Sequence, residues 1–69
     1  MVDVATTLEI TKEYPYARAK GWRWNEKEEA FIRGDDWIAP HKKGWEHYDG
    51  YTGQRKIERT LNLILKATI

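Results

Sequence analysis

The sequence predicts a small all-β fold, with about five antiparallel strands in a curved sheet or partly open barrel. Three observations point there. Polar and apolar or β-branched residues alternate in several short runs, and Gly, Pro, Asn and Asp punctuate them. Leu, Ile, Val and Phe together make only 13 of the 69 residues, so the four Trp and four Tyr must supply much of any core. Curving or closing such a sheet hides edges that would otherwise aggregate. The alternative is α+β, a three- to four-stranded antiparallel sheet with a C-terminal helix across one face. The length allows a single small domain, residues 1–69.

In chain order, Val4 to Lys12 carries Val4, Thr6, Leu8 and Ile10 on one parity, a strand pattern that Pro15 ends or bends. From Tyr16 to Trp24 the even positions read Tyr16, Arg18, Lys20, Trp22 and Trp24, opposite Ala17, Ala19, Gly21 and Arg23. One face of that strand would mix aromatic and basic groups, and the other would be mostly small. Residues Asn25 to Glu29 are ambiguous. Asn25 followed by Glu28 is helix-start chemistry with Gly34 as the stop, while strand signals on both sides favour a polar hairpin loop. A short strand, Trp37-Ile38-Ala39, ends at Pro40.

The clearest local signal is the hairpin Trp45 to Arg55. The Asp49 carboxylate can accept from backbone N–H groups ahead of it, and Gly53 can take the left-handed conformation that closes the turn. From Ile57 to Ile69 six of the seven odd positions are apolar against one of the six even ones, which predicts a long final strand. A helical stripe through Ile57, Leu61, Ile64 and Leu65 is the competing pattern.

The 12 Lys and Arg nearly balance the 11 Asp and Glu, for a net charge of +1, so a purely electrostatic polyanion binder is disfavoured. The absence of cysteine excludes disulfides, thiolate metal sites and thiol nucleophiles. No apolar run approaches the roughly 20 residues that span a bilayer, and the first residues lack the pattern of a signal peptide. The expectation is a cytoplasmic protein without membrane association.

Catalysis is not expected. His41 and His47 would need Asp35 and Asp36 to complete a metal site, and nothing in the spacing requires that; no metal or cofactor is assigned. A metal-free ribonuclease would use His47, Glu46, Tyr48 and Arg55, yet strand parity sends His47 away from Glu46 and Tyr48. The charge pattern says more than its sum. Arg18, Lys20 and Arg23 form one basic stretch, Lys42 and Lys43 beside His41 a second, and Arg55, Lys56 and Arg59 a third. Tyr16, Trp22, Trp24, Trp45 and Tyr51 lie among them. Cations that track phosphates beside rings that stack bases equip small β surfaces to bind nucleic acid.

The expected function is therefore a non-catalytic nucleic-acid-binding module, DNA or RNA. Arg18, Lys20, Arg23, Lys42, Lys43, Arg55 and Lys56 would meet phosphates, and Tyr51 at a hairpin tip, with Tyr16, would stack. Trp22, Trp37 and Trp45 are expected in the core. The alternative function is a protein-interaction or inhibitor module that docks on a larger protein through a Trp/Tyr/Arg patch. Pairing of the final strand's edge with a second copy would make a homodimer. The hairpin from Trp45 to Arg55 is similar to hairpins of the small three-stranded arm-binding domains of phage-type integrases, a resemblance of about a dozen residues that adds to the DNA-binding expectation.

Overall fold

A computed structural model describes residues 3–68. Its architecture is α+β. Helix α1 (Val4–Ala19) precedes five strands, β1 (Arg23–Asn25), β2 (Ala30–Arg33), β3 (Asp36–His41), β4 (Gly44–Tyr48) and β5 (Arg55–Glu58), and helix α2 (Leu61–Ala67) follows them. The strands form one open antiparallel meander in sequence order, β1-β2-β3-β4-β5, with both helices on one face. The expected strand count holds. The all-β class does not, and the C-terminal helix of the alternative is present.

The first correction concerns residues 4–12, a helix where alternation predicts a strand. Asp3 caps it, its Oδ1 accepting from the Thr6 N–H at 2.8 Å. The inward stripe is Ile10, Tyr14 and Ala17, spaced four and three apart, with Glu9 and Glu13 beside it. Val4 and Leu8 stay exposed. Acids on the side facing α2 and aliphatics facing outward erase the amphipathic pattern, so the two-residue period stands out by default. Pro15 lies inside the helix and leaves the Thr11 carbonyl without its usual donor. The segment expected as a strand from Tyr16 to Trp24 is thus divided among the end of α1, a turn at 20–22 and the start of β1, and only Arg23–Asn25 pairs with β2.

The second correction is the C-terminal segment. Ile57 and Glu58 finish β5; Thr60 then caps α2, its hydroxyl accepting from the Leu63 N–H at 3.2 Å. Leu61, Ile64 and Leu65 are fully buried, whereas Leu63, which completed the apparent alternation, points outward. The edge expected to pair with a second copy is therefore four residues of β5, not a strand of thirteen. Ile69 lies outside the described residues.

The turns follow local chemistry. Asn25 accepts from the Glu28 N–H at 2.9 Å and Glu29 adopts φ 53°, so the signal that resembled a helix start closes the β1–β2 hairpin instead. Gly34, at φ 61°, opens the two-residue β2–β3 turn. The predicted β4–β5 hairpin is present: the Asp49 carboxylate accepts from the N–H groups of Tyr51 (2.8 Å) and Thr52 (3.3 Å), and Gly53 has φ 78°. Strand β3 runs through Pro40 rather than ending there. Gly44 has φ 134°, and a Cβ on it would lie 2.2 Å from the Glu58 carbonyl oxygen.

The core sits between sheet and helices: Ala17, Trp22, Phe31, Ile38, Trp45, Leu61, Ile64 and Leu65. Two side chains of α1 and that of Lys20, its C-cap, hold α2 in place. Glu9 accepts from the Trp45 indole N–H (3.0 Å) and from the Leu61 N–H (2.6 Å), and Glu13 accepts from the Asn62 amide (3.2 Å). Lys20 donates to the carbonyls of Leu65 and Thr68 at the other end. Acid at the helix start and base at its finish also match the helix dipole.

Candidate binding surface on the open face of the sheet

Strand alternation divides the side chains between two faces. Trp24, Phe31, Ile38, Trp45 and His47 turn toward the helices. The opposite face carries a row that crosses all five strands in register: Arg23 beside Ile32, Ile32 beside Trp37, Trp37 beside Tyr48, and Tyr48 beside Arg55. No helix covers this row among the described residues.

Trp37 and Tyr48 form the centre of the row. Their rings stack with centroids 5.4 Å apart and planes 14° from parallel. The Arg55 guanidinium lies 5.5 Å from the Tyr48 centroid and 5.9 Å from that of Trp37, closing a triangle over the pair. Glu46 approaches Arg55 at 3.8 Å, but the Arg55 side chain remains 60% exposed, so solvent screens the pair. Arg23 stands at the other end of the row and is also exposed.

With Tyr48 on one side, the second face of the Trp37 indole looks toward β2. There Ile32 stands directly across from Trp37, with alanines on the neighbouring positions of the same face. Ala30 and Ala39 floor a hollow of about 250 Å³, with Ile32 and Trp37 as walls and Glu28 at the rim.

The expected site residues separate into three groups. Arg23, Arg55 and Tyr51 lie toward one end of the sheet, Arg23 and Arg55 in the row itself and Tyr51 at the adjoining hairpin tip, 96% exposed. Lys42 and Lys43 form the β3–β4 turn at the opposite end, where Lys42 shares a cleft with Asp3, Glu28 and Glu29. The rest belong to the helical side. Lys20 is occupied by α2, Arg18 lies over the Tyr14 ring, and Lys56 shares its row with His47 and pairs with Glu58 at 3.8 Å. Tyr16 neighbours the Lys20 ammonium.

Trp22 and Trp45 are buried as expected, but Trp37 is on the open face and only partly buried. Trp37, Tyr48 and the alanine hollow were not among the expected site residues. The signal that finds them is parity: Tyr48 shares the Glu46 side of β4, and antiparallel register sets Trp37 directly across from it.

His47 lies on the other side of the sheet from Glu46, Tyr48 and Arg55, so the four do not converge on one reacting atom. It meets Trp22 edge-on, centroids 5.8 Å apart, and burial lowers its pKa despite the nearby Asp36 and Asp49 carboxylates. His47 Nε2 and Trp22 Nε1 are buried without a hydrogen-bond partner among the described residues. Arg33 lies 4.4 Å over the Trp22 ring and donates to the Lys20 carbonyl at 3.1 Å. Among the described residues no three His, Asp or Glu side chains form a group that could hold a metal ion, and no helix is long and apolar enough to cross a membrane.

Compared with known proteins, the chain matches no family model, no curated protein and no solved structure.

Proposed function

We propose that the protein is a non-catalytic nucleic-acid-binding module that works through the open face of its sheet. The observation that carries this reading is the uncovered row in which Arg23 and Arg55 bracket the stacked Trp37–Tyr48 pair. Arginine forks suit phosphate oxygens, and aromatic side chains exposed on a sheet provide apolar contact for bases. The adjoining hairpin tip adds Tyr51 to the same end of the molecule.

Fluorescence anisotropy of labelled oligonucleotides at 50 and 200 mM salt tests it. Two arginine–phosphate contacts on a single strand give a slope of log affinity against log salt of roughly −1.4, a weakening of about sevenfold over that range. Arg23→Ala and Arg55→Ala each flatten the slope by about 0.7. Absence of binding at 50 mM salt rejects the reading.

Glu46 against Arg55 and Glu28 at the rim favour a second reading, docking on a larger protein, because they hold the net charge of the face near zero. Tyr, Trp and Arg are also the side chains that dominate protein interfaces. That reading predicts no affinity for oligonucleotides and a protein partner whose binding is lost with Trp37→Ala.

A further inference from the structure

We infer that the hollow beside Trp37 receives one unpaired base, so that the ligand of the open face is single-stranded nucleic acid and not duplex; this rests on the nucleic-acid reading above.

The width of the sheet supplies the first argument. Five strands at spacings of about 4.8 Å make a surface roughly 19 Å across, whereas the major groove is about 12 Å wide and admits an α-helix or a two-stranded ribbon. The aromatic pair stands on β3 and β4, in the interior of that surface. Base edges inside a duplex cannot reach it without the outer strands meeting the backbone first. A single strand laid across the sheet can.

The hollow supplies the second. Tyr48 already covers one face of the Trp37 indole, and the indole also lines a recess of about 250 Å³. Ala30 and Ala39 keep it shallow and apolar, and Ile32 closes the side opposite the indole. A flat ring entering there would rest on the two alanines and meet the Trp37 indole beside its stack with Tyr48. Arg23 and Arg55, at the two ends of the row, are placed for phosphates a few nucleotides apart on a strand laid across the sheet, with the stacked base between them. Glu28 at the rim is an acceptor for an exocyclic amino group of the base.

The test compares a labelled 12-nucleotide DNA strand of mixed sequence with its duplex at 50 mM salt, using the wild type and Ala39→Phe, which fills the recess. The single strand is expected to bind at least about tenfold more tightly than the duplex. Ala39→Phe is expected to weaken the single strand roughly fivefold or more and leave duplex binding unchanged, since one stacked base is worth about 1–3 kcal/mol. Trp37→Phe, whose smaller change keeps the stack against Tyr48, gives an independent readout. Saturating single strand should quench tryptophan emission in the wild type and not in this variant.

Equal or tighter duplex binding, or an Ala39→Phe variant that folds and binds the single strand as well as wild type, overturns this inference and leaves the nucleic-acid reading standing. Quenching that persists in Trp37→Phe also overturns it. Failure of both strand and duplex to bind removes the nucleic-acid reading and this inference with it.

Discussion

The two faces of the sheet use the same kinds of side chain for opposite ends. On the helical face, Lys20 sits against the terminal carbonyls of α2, Arg33 lies over Trp22, and the Trp45 indole donates to Glu9. On the open face, Arg23, Arg55, Trp37 and Tyr48 line up with no helix over them among the described residues. A cation that already satisfies buried carbonyls cannot also meet a phosphate. The number of basic residues in a stretch therefore says little about binding until each is assigned a face.

That contrast can be broken from either side, and the helical side should give the larger effects. Glu9→Ala leaves the Trp45 indole and the first amide of α2 without their acceptor, and hydrogen bonds to charged groups contribute about 1.5–3 kcal/mol. A loss of about 3 kcal/mol is expected in urea unfolding, with oligonucleotide affinity unchanged while the protein remains folded. Lys20→Met keeps the stem and removes the donor to Leu65 and Thr68; about 2 kcal/mol should be lost. Its salt slope should match wild type, and a flatter one would return Lys20 to the binding surface.

Arg55→Ala is the mirror image. Its partly exposed pair with Glu46 and its contacts with the Trp37 and Tyr48 rings contribute little to stability, so the unfolding free energy should fall by no more than about 1 kcal/mol. The salt slope should still fall by roughly 0.7.

A smaller effect depends on pH. Because burial holds His47 below its ordinary pKa of 6.5, the unfolded chain binds more protons there than the native protein does as pH falls through that region. The stability this group contributes is full above pH 6.5 and lost as pH drops through the lowered native value. Urea midpoints between pH 5 and 8 should show the decline, and His47→Phe, which keeps a ring against Trp22, should flatten it. Asp49, held below 3.8 by the N–H groups of Tyr51 and Thr52, adds a loss of the same sign at more acid pH. Tyr51→Ala should be the mildest change of all, within about 0.5 kcal/mol in stability.

Legibility in the sequence followed the range of the forces involved. The Asp49–Gly53 hairpin was readable because its determinants are local: a carboxylate, the amides just ahead of it and a left-handed glycine. The exposure of Tyr51 was readable for a similar reason, because it sits at the tip of that hairpin. Helix α1 was not, since Glu9 and Glu13 occupy positions where an amphipathic helix would show apolar residues. Their partners, Leu61 and Asn62, lie about fifty positions away. Helix α2 was hidden by a single outward leucine, Leu63. Trp37 was assigned to the core on composition alone, because few aliphatics are available. Only the register of β3 against β4 moves it to the open face, and register is a tertiary fact.

The clamp between the helices also bears on how the chain reaches this state. Glu9 and Leu61 are 52 positions apart, with the whole meander between them. Loop closure over that distance must precede any reward, which favours slow, late consolidation over early docking of α1. During synthesis, Glu9 and the Trp45 indole can find each other before residue 61 has emerged, but the start of α2 cannot join them. Until it does, the part of the sheet that α2 covers is bare, and the interval in which the nascent chain is most prone to aggregate or to be cleaved lasts until residues 61–67 have emerged and docked.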